Sequence, residues 1–237
     1  MLNNTPNLSD LAAYSVNRAG QAEVYRQTLY DFQVYPTAGQ TSFTFFSVPQ
    51  GQGITSAEGA TVGSAKTQLD TNMTLAGQLP QPQAFLIQSI EVVFLPGNSA
   101  TTNTFISQVP AVFAVDDAVT IAAQVNDVAK VINNAMVYLF IGSKFYLQDG
   151  PASRFPPKAY LGVDAAVADI SATTPGSLAV TAARGMGRPY YIDPELSLMA
   201  NQNFNVTLNF GGAIATPSGF NGRVGIILDG YYFRNSQ

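Results

Sequence analysis

Residues 203–210 alternate without a break: Phe204, Val206, Leu208 and Phe210 are apolar, and Asn205, Thr207 and Asn209 between them are polar. A period of two places one row on a buried face and the other on the opposite face, which is a strand pattern and not a helical one. Residues 223–234 carry Val224, Ile226, Ile227, Leu228, Tyr231, Tyr232 and Phe233, apolar on both faces. Such a strand belongs in the middle of a sheet that is covered on both sides. The intervening segment, 211–222, is rich in Gly and contains Pro217, which predicts a long surface loop joining the two as antiparallel neighbours.

A pair of this kind needs earlier strands to pack against. Residues 25–35 put Tyr30, Phe32 and Val34 on one face and Asp31 and Gln33 on the other. A Pro-Thr-Ala-Gly turn at 36–39 and a second strand at 41–48, with Phe43, Phe45 and Phe46, complete a predicted hairpin. Residues 84–95 read as a strand with bulky side chains on both faces, and 105–115 as one or two short strands broken at Pro110. Ile121, Val125, Val128 and Ile132 then form one helical stripe behind a cap at Asp116 or Asp117, ending at Asn133-Asn134. Gly142-Ser143, between strands at 136–141 and 144–147, suits a two-residue type II′ turn, with one strand kinked at Gly142 as the alternative. Prolines 151, 156 and 157 make 150–158 a loop, weak strands fall around 166–170 and 178–181, and 190–192 and 196–198 lead into the closing pair. No internal repeat or linker divides the chain, so the expectation is one all-β domain over 25–237.

Two segments do not fit a self-sufficient core. Residues 1–24 read as an N-terminal arm in which Leu8, Leu11, Ala12 and Val16 recur at helical spacing behind Asn7 or Ser9. So short a helix is marginal alone and is expected to dock on a neighbour or an inner layer. Residues 49–83 offer only Ile54, Val62, Leu69, Met73, Leu75 and Leu79 as sizeable apolar groups. Ordering backbone costs roughly 1–2 kcal/mol per residue, so this stretch is expected to need a partner's surface.

Composition excludes several chemistries. The 237 residues contain no Cys, His or Trp. That removes disulfides, thiolate and imidazole metal sites, and the usual nucleophile–base pairs. Charged residues make up 11%, against about a quarter in typical domains. Either the surface is neutral and polar, or much of it is covered by other copies, since charge is depleted at interface cores. The net charge of −4 and scattered cations, none denser than Arg184 and Arg188, argue against a nucleic-acid face. Residues 1–10 lack the apolar core of a signal peptide, and the densest apolar runs, 85–95 and 136–141, are strand-sized.

The remaining motifs are weak. Gly185-Met186-Gly187 lacks the third Gly and the following helix of a phosphate loop. Asp116 and Asp117 with Asp127 could hold a divalent cation, but capping already accounts for the first two. Asn72-Met73-Thr74 and Asn205-Val206-Thr207 match the glycosylation pattern, which is common by chance in an Asn-rich chain. Tyr30, Phe43, Phe45, Phe94, Phe210 and Phe233 read as core. No catalytic, cofactor-binding or metal-binding residue is assigned, and no enzyme activity is expected.

About eight main strands, the closing pair at 204–210 and 224–233, the helix at 117–133 between strands, and a neutral Asn/Gln/Ser/Thr-rich composition resemble the jelly-roll capsid proteins of tailless icosahedral bacterial viruses. The resemblance implies a single antiparallel jelly-roll sandwich with long loops, a compact double jelly roll being the alternative. It further implies a structural protein of the virion that self-associates, as trimer or pentamer capsomers, into a shell enclosing the genome, with or without an internal membrane and other capsid proteins. The rival from another class is a receptor-binding or carbohydrate-binding β-sandwich module.

Overall fold

The computed structural model describes residues 22–61, 63–97, 103, 115–147, 150–158, 160–167, 178–185 and 189–235. The arm up to residue 21, the strands expected within 105–114 and two residues of the Gly185-Met186-Gly187 motif lie outside them. Among the described residues, β1 (Ala22–Tyr35), β2 (Ser42–Phe45) and β3 (Ala84–Leu95) precede a helix, α1 (Val115–Asn134). Next come β4 (Ala135–Ile141), β5 (Lys144–Leu147), a 3-10 turn at Ala152–Arg154, and β6 (Tyr160–Val167) with β7 (Leu178–Gly185). The chain closes with β8 (Tyr190–Leu198), β9 (Phe204–Phe210) and β10 (Gly222–Asn235).

Eight strands form two four-stranded sheets, ordered β1-β10-β3-β8 and β2-β9-β4-β5. Four antiparallel pairs, β1 with β10, β2 with β9, β3 with β8 and β4 with β5, are dealt alternately to the two sheets. That is the wrapping of a single jelly roll. Among the described residues the β6–β7 hairpin pairs only with itself, and it is inserted between β5 and β8. The first of the two strands expected there thus lies earlier than 166–170.

β10 is central, as its two apolar faces require, with β1 on one side and β3 on the other. β9 shows the expected alternation, its even-numbered residues 204–210 buried and the odd ones half-exposed. The two are not neighbours, however, but lie at the centres of opposite sheets. The 36–39 turn likewise carries the chain from one sheet to the other and makes no hairpin. Alternation identifies a core face without saying which sheet bears it, because both sheets present the same kind of face to a shared core. At Gly142 the expected turn is present: Gly142 takes φ +63° and joins β4 to β5 as a hairpin.

β1 reverses its expected faces. Leu29, Asp31 and Tyr35 are fully buried in the sandwich, whereas Tyr30 and Phe32 lie on the outer side. The apparent two-sidedness of β3 has a local cause. A bulge at Gln88 changes the inward parity from Phe85 and Ile87 to Ile90, Val92 and Phe94. It leaves Ser89 and Glu91 on the outer face, beside β10.

Residues 49–83 fold on their own chain, contrary to expectation. Thr55, Ser56, Lys66, Asp70, Thr71, Met73 and Leu79 are buried there. The segment closes the open edge of β1: Phe32 N–H donates to Asp70 O (2.7 Å), and the Asn72 amide bridges Tyr30 N–H and Thr28 O (3.1 and 2.7 Å). It also reaches the second sheet, with Gly77 N–H on Phe46 O and Phe204 N–H on Gly77 O, 2.8 Å each. Polar contacts, which a count of apolar residues ignores, hold it in place. In α1, Val131 is buried and Val128 and Ile132 pack against the core, together with the polar residues Gln124 and Asp127.

Candidate functional site

The acids once grouped as a cation site are separated. Asp116 and Asp117 lie in the first turn of α1, and Asp127 is some ten residues on, about 15 Å along the axis. Asp127 is buried and accepts from Ser218 N–H (2.9 Å) and Ser218 Oγ, pinning the 211–221 loop to the helix. Burial raises its carboxyl above the usual range, against those hydrogen bonds. Among the described residues no cluster of three acidic side chains suits a metal ion. Asn72 is occupied as the cover of β1, and Asn205 projects from the outer face of β9. Five of the six aromatics read as core are buried. Tyr30 is the exception, half-buried on the outer face and donating from its hydroxyl to Gln68 O at 2.5 Å.

The first surface that stands out is the outer face of the β2-β9-β4-β5 sheet. Register places Ser42, Asn209 and Met136 in one row across it, and Thr44, Thr207 and Tyr138 in the next. Asn205, Phe140 and Phe145 form the third. None of these nine residues is charged. At the β5 edge Phe145 is 59% and the neighbouring Tyr146 46% exposed, with the Phe145 ring tilted against that of Phe140 at 4.3 Å between ring centres. An uncharged sheet face grading from amide and hydroxyl groups into exposed aromatics has the composition of an interface core.

Two ion clusters were not legible as sites. In the first, Lys66 Nζ lies 2.5 Å from Asp31 Oδ1, both side chains almost fully buried, while Phe46 N–H donates to Asp31 Oδ2 (2.7 Å). Burial raises the Asp31 carboxyl, outweighing the attraction of Lys66. Beside it Asp70 accepts from Thr55 Oγ1, Ser56 N–H and Ser56 Oγ at 2.7 Å each and from Thr67 N–H at 2.9 Å. Burial alone would raise Asp70, but these donors hold it below the ordinary carboxylate range. Arg223 completes the cluster, donating to Leu69 O (2.5 Å) and lying over the Phe32 ring at 4.3 Å.

The second cluster lies on the outer face of the other sheet. Lys158 Nζ contacts Asp229 Oδ2 and lies 3.7 Å from Glu91 Oε1, and the Lys158 backbone N–H donates to Glu91 Oε2 (2.8 Å). Arg26 grips Asp229 with Nη2 (2.6 Å) and Nε (3.4 Å). The two acids sit singly in the apolar strands β3 and β10, and that isolation is the signal the sequence offered.

Together these features define a class, a single jelly-roll β-sandwich with three uncharged rows across the outer face of one sheet. No family model, curated protein or solved structure matches the chain.

Proposed function

We propose that the protein is a structural, self-associating jelly-roll subunit, the capsid protein of a virion shell, and that copies meet through the outer face of the β2-β9-β4-β5 sheet. The observation that supports this most is that face: three rows of uncharged residues with Phe140, Phe145 and Tyr146 gathered at its edge. Across a two-fold contact the same patch faces itself, so a charged patch would repel its copy, and in a ring an uncharged patch needs no countercharge on its neighbour. The ordering of 49–83 on its own chain withdraws that segment as an argument for assembly, and the reading rests on the sheet face and the low charge.

Sedimentation velocity over a wide range of protein concentration tests it. The wild-type chain is expected to form trimers, pentamers or larger shells at micromolar concentration, and Phe145→Glu to shift them towards monomer without loss of fold. The rival, a carbohydrate- or receptor-binding module, would use the same exposed aromatics as a platform. A wild-type chain that stays monomeric while binding glycans through Phe145 would replace the shell reading with it.

A further inference from the structure

Of the two Lys–Asp contacts made to a buried carboxyl, only one has a second carboxylate beside the amine. Lys66–Asp31 is the more deeply buried, but the other oxygen of Asp31 is taken by the Phe46 N–H, and no further acid approaches Lys66 within ion-pair distance among the described residues. At Lys158 the arrangement differs. Its amine touches the Asp229 carboxyl, and Glu91 stands 3.7 Å away, turned towards it by a hydrogen bond from the Lys158 backbone. The Asp229 and Glu91 side chains are 5% and 6% exposed, respectively. Lys158 itself is partly exposed, but it supplies an amine beside a buried carboxyl it can attack and a buried, positioned proton carrier, and these are the components of amide formation.

We propose that Lys158 and Asp229 form an intramolecular amide bond, with Glu91 as the proton-transfer group. Glu91 takes a proton from the Lys158 ammonium, freeing the nitrogen lone pair. That lone pair attacks Asp229 Cγ, forming the C–N bond. Glu91 returns its proton to a carboxyl oxygen, and a C–O bond breaks as the nitrogen loses its second proton to that oxygen. The products are one amide and one water, so ammonium plus carboxylate balance without oxidant or cofactor. Arg26, with both Nε and Nη2 on the Asp229 carboxyl, stabilises the oxyanion that forms during attack. Ser89, fully buried opposite Asp229 in the β3–β10 ladder, has a hydroxyl without a hydrogen-bond partner among the described residues and can serve as a further donor. The bond would tie the segment leaving the 3-10 turn to the central strand β10, closing a covalent loop through β6, β7, β8 and β9. The inference is independent of the shell reading.

Intact-mass measurement of the full chain, unfolded in denaturant, reads the bond directly. The expected mass is one water below that of the sequence, with a branched proteolytic peptide whose fragments join Lys158 to Asp229. The branched peptide excludes dehydration at an Asp alone. Lys158→Arg keeps the positive charge but cannot form this amide, so it is expected at full sequence mass and to melt at lower temperature. Glu91→Gln is expected to accumulate the linked form far more slowly, and water loss there at the wild-type rate would remove Glu91 from the reaction. Full sequence mass for folded wild-type chain, with Lys158 and Asp229 recovered in separate unmodified peptides, would overturn the proposal and leave the cluster as an ion network.

Discussion

Asp31 occupies a position that the alternation of its strand assigned to the outside. It lies instead in the sandwich, paired with Lys66 and holding the N–H of Phe46, whose backbone takes φ +68°. A bulky residue in that left-handed region is strained, and a buried carboxylate on its N–H fixes the conformation. Removing one partner strands the other's charge inside, so Asp31→Leu or Lys66→Met alone is expected to cost about 3–5 kcal/mol. The double replacement should cost less than the sum, because no lone charge remains. Strictly additive losses in urea unfolding would show that the pair is not coupled. Asp70 predicts a pH effect of definite sign. Its folded value is depressed, so its contribution is complete above roughly pH 4 and is lost as pH falls through the folded value. Asp31 and Asp127 shift upward and act in the opposite sense, favouring the fold most below their unfolded values. A local probe is therefore required: the protection of the Ser56 and Thr67 amides, whose N–H groups reach the Asp70 carboxylate, taken relative to the intrinsic exchange rate at each pH, should fall in acid, and Asp70→Asn should blunt that response. Unchanged protection at both amides would show that the carboxylate does not hold the segment. What the sequence made legible at this scale was a lone acid in an apolar strand. Its partner was not legible, because Lys66 and Lys158 reach Asp31 and Asp229 from 35 and 71 residues away.

Most strands could be placed from alternation, but their neighbours could not. The strands at 204–210 and 224–233 were visible, and their assignment to opposite sheets was not, since a loop of this length can close a hairpin or span the sandwich. Within β3 the bulge at Gln88 shifted the parity, and a single chain carries no mark of a bulge beyond bulky residues on apparently both faces. A count of apolar residues underrates the segment 49–83, whose Ser, Thr and Asp side chains supply the contacts that hold it. Its hydrogen bonds now give the opposite expectation. In free subunits, the amides of Phe32, Thr55, Ser56 and Gly77, which donate to Asp70 O, Ser64 O, the Asp70 carboxylate and Phe46 O, should exchange slowly. Ile54 and Leu69, at 59% and 68% exposed, mark the sites where protease cuts should be confined. Rapid exchange across the whole segment in dilute monomer would restore the view that a partner must order it.

The whole molecule combines 11% charged residues, a net charge of −4 and one sheet face with no charge in its three central rows. If copies meet through that face, the association is carried by apolar burial and by hydrogen bonds among amides and hydroxyls, with little Coulombic contribution. Three responses follow. Sodium chloride screens exposed charges over about 10 Å or less at and above 0.1 M, so it should change the dissociation constant only slightly. Sulfate, which is excluded from protein surfaces, should strengthen association, and cooling should weaken it as the apolar driving force falls. Phe145→Glu should weaken association because it buries a carboxylate without a partner, and where the contact is two-fold it also brings each new carboxylate near its copy, so that this variant alone becomes strongly sensitive to salt. Sedimentation equilibrium of wild type and variant in chloride and sulfate, at two temperatures, measures all of these together. A wild-type association that collapses as sodium chloride rises would place the contact on a charged surface elsewhere, because the three central rows of the β2-β9-β4-β5 face carry no charge to respond in that way.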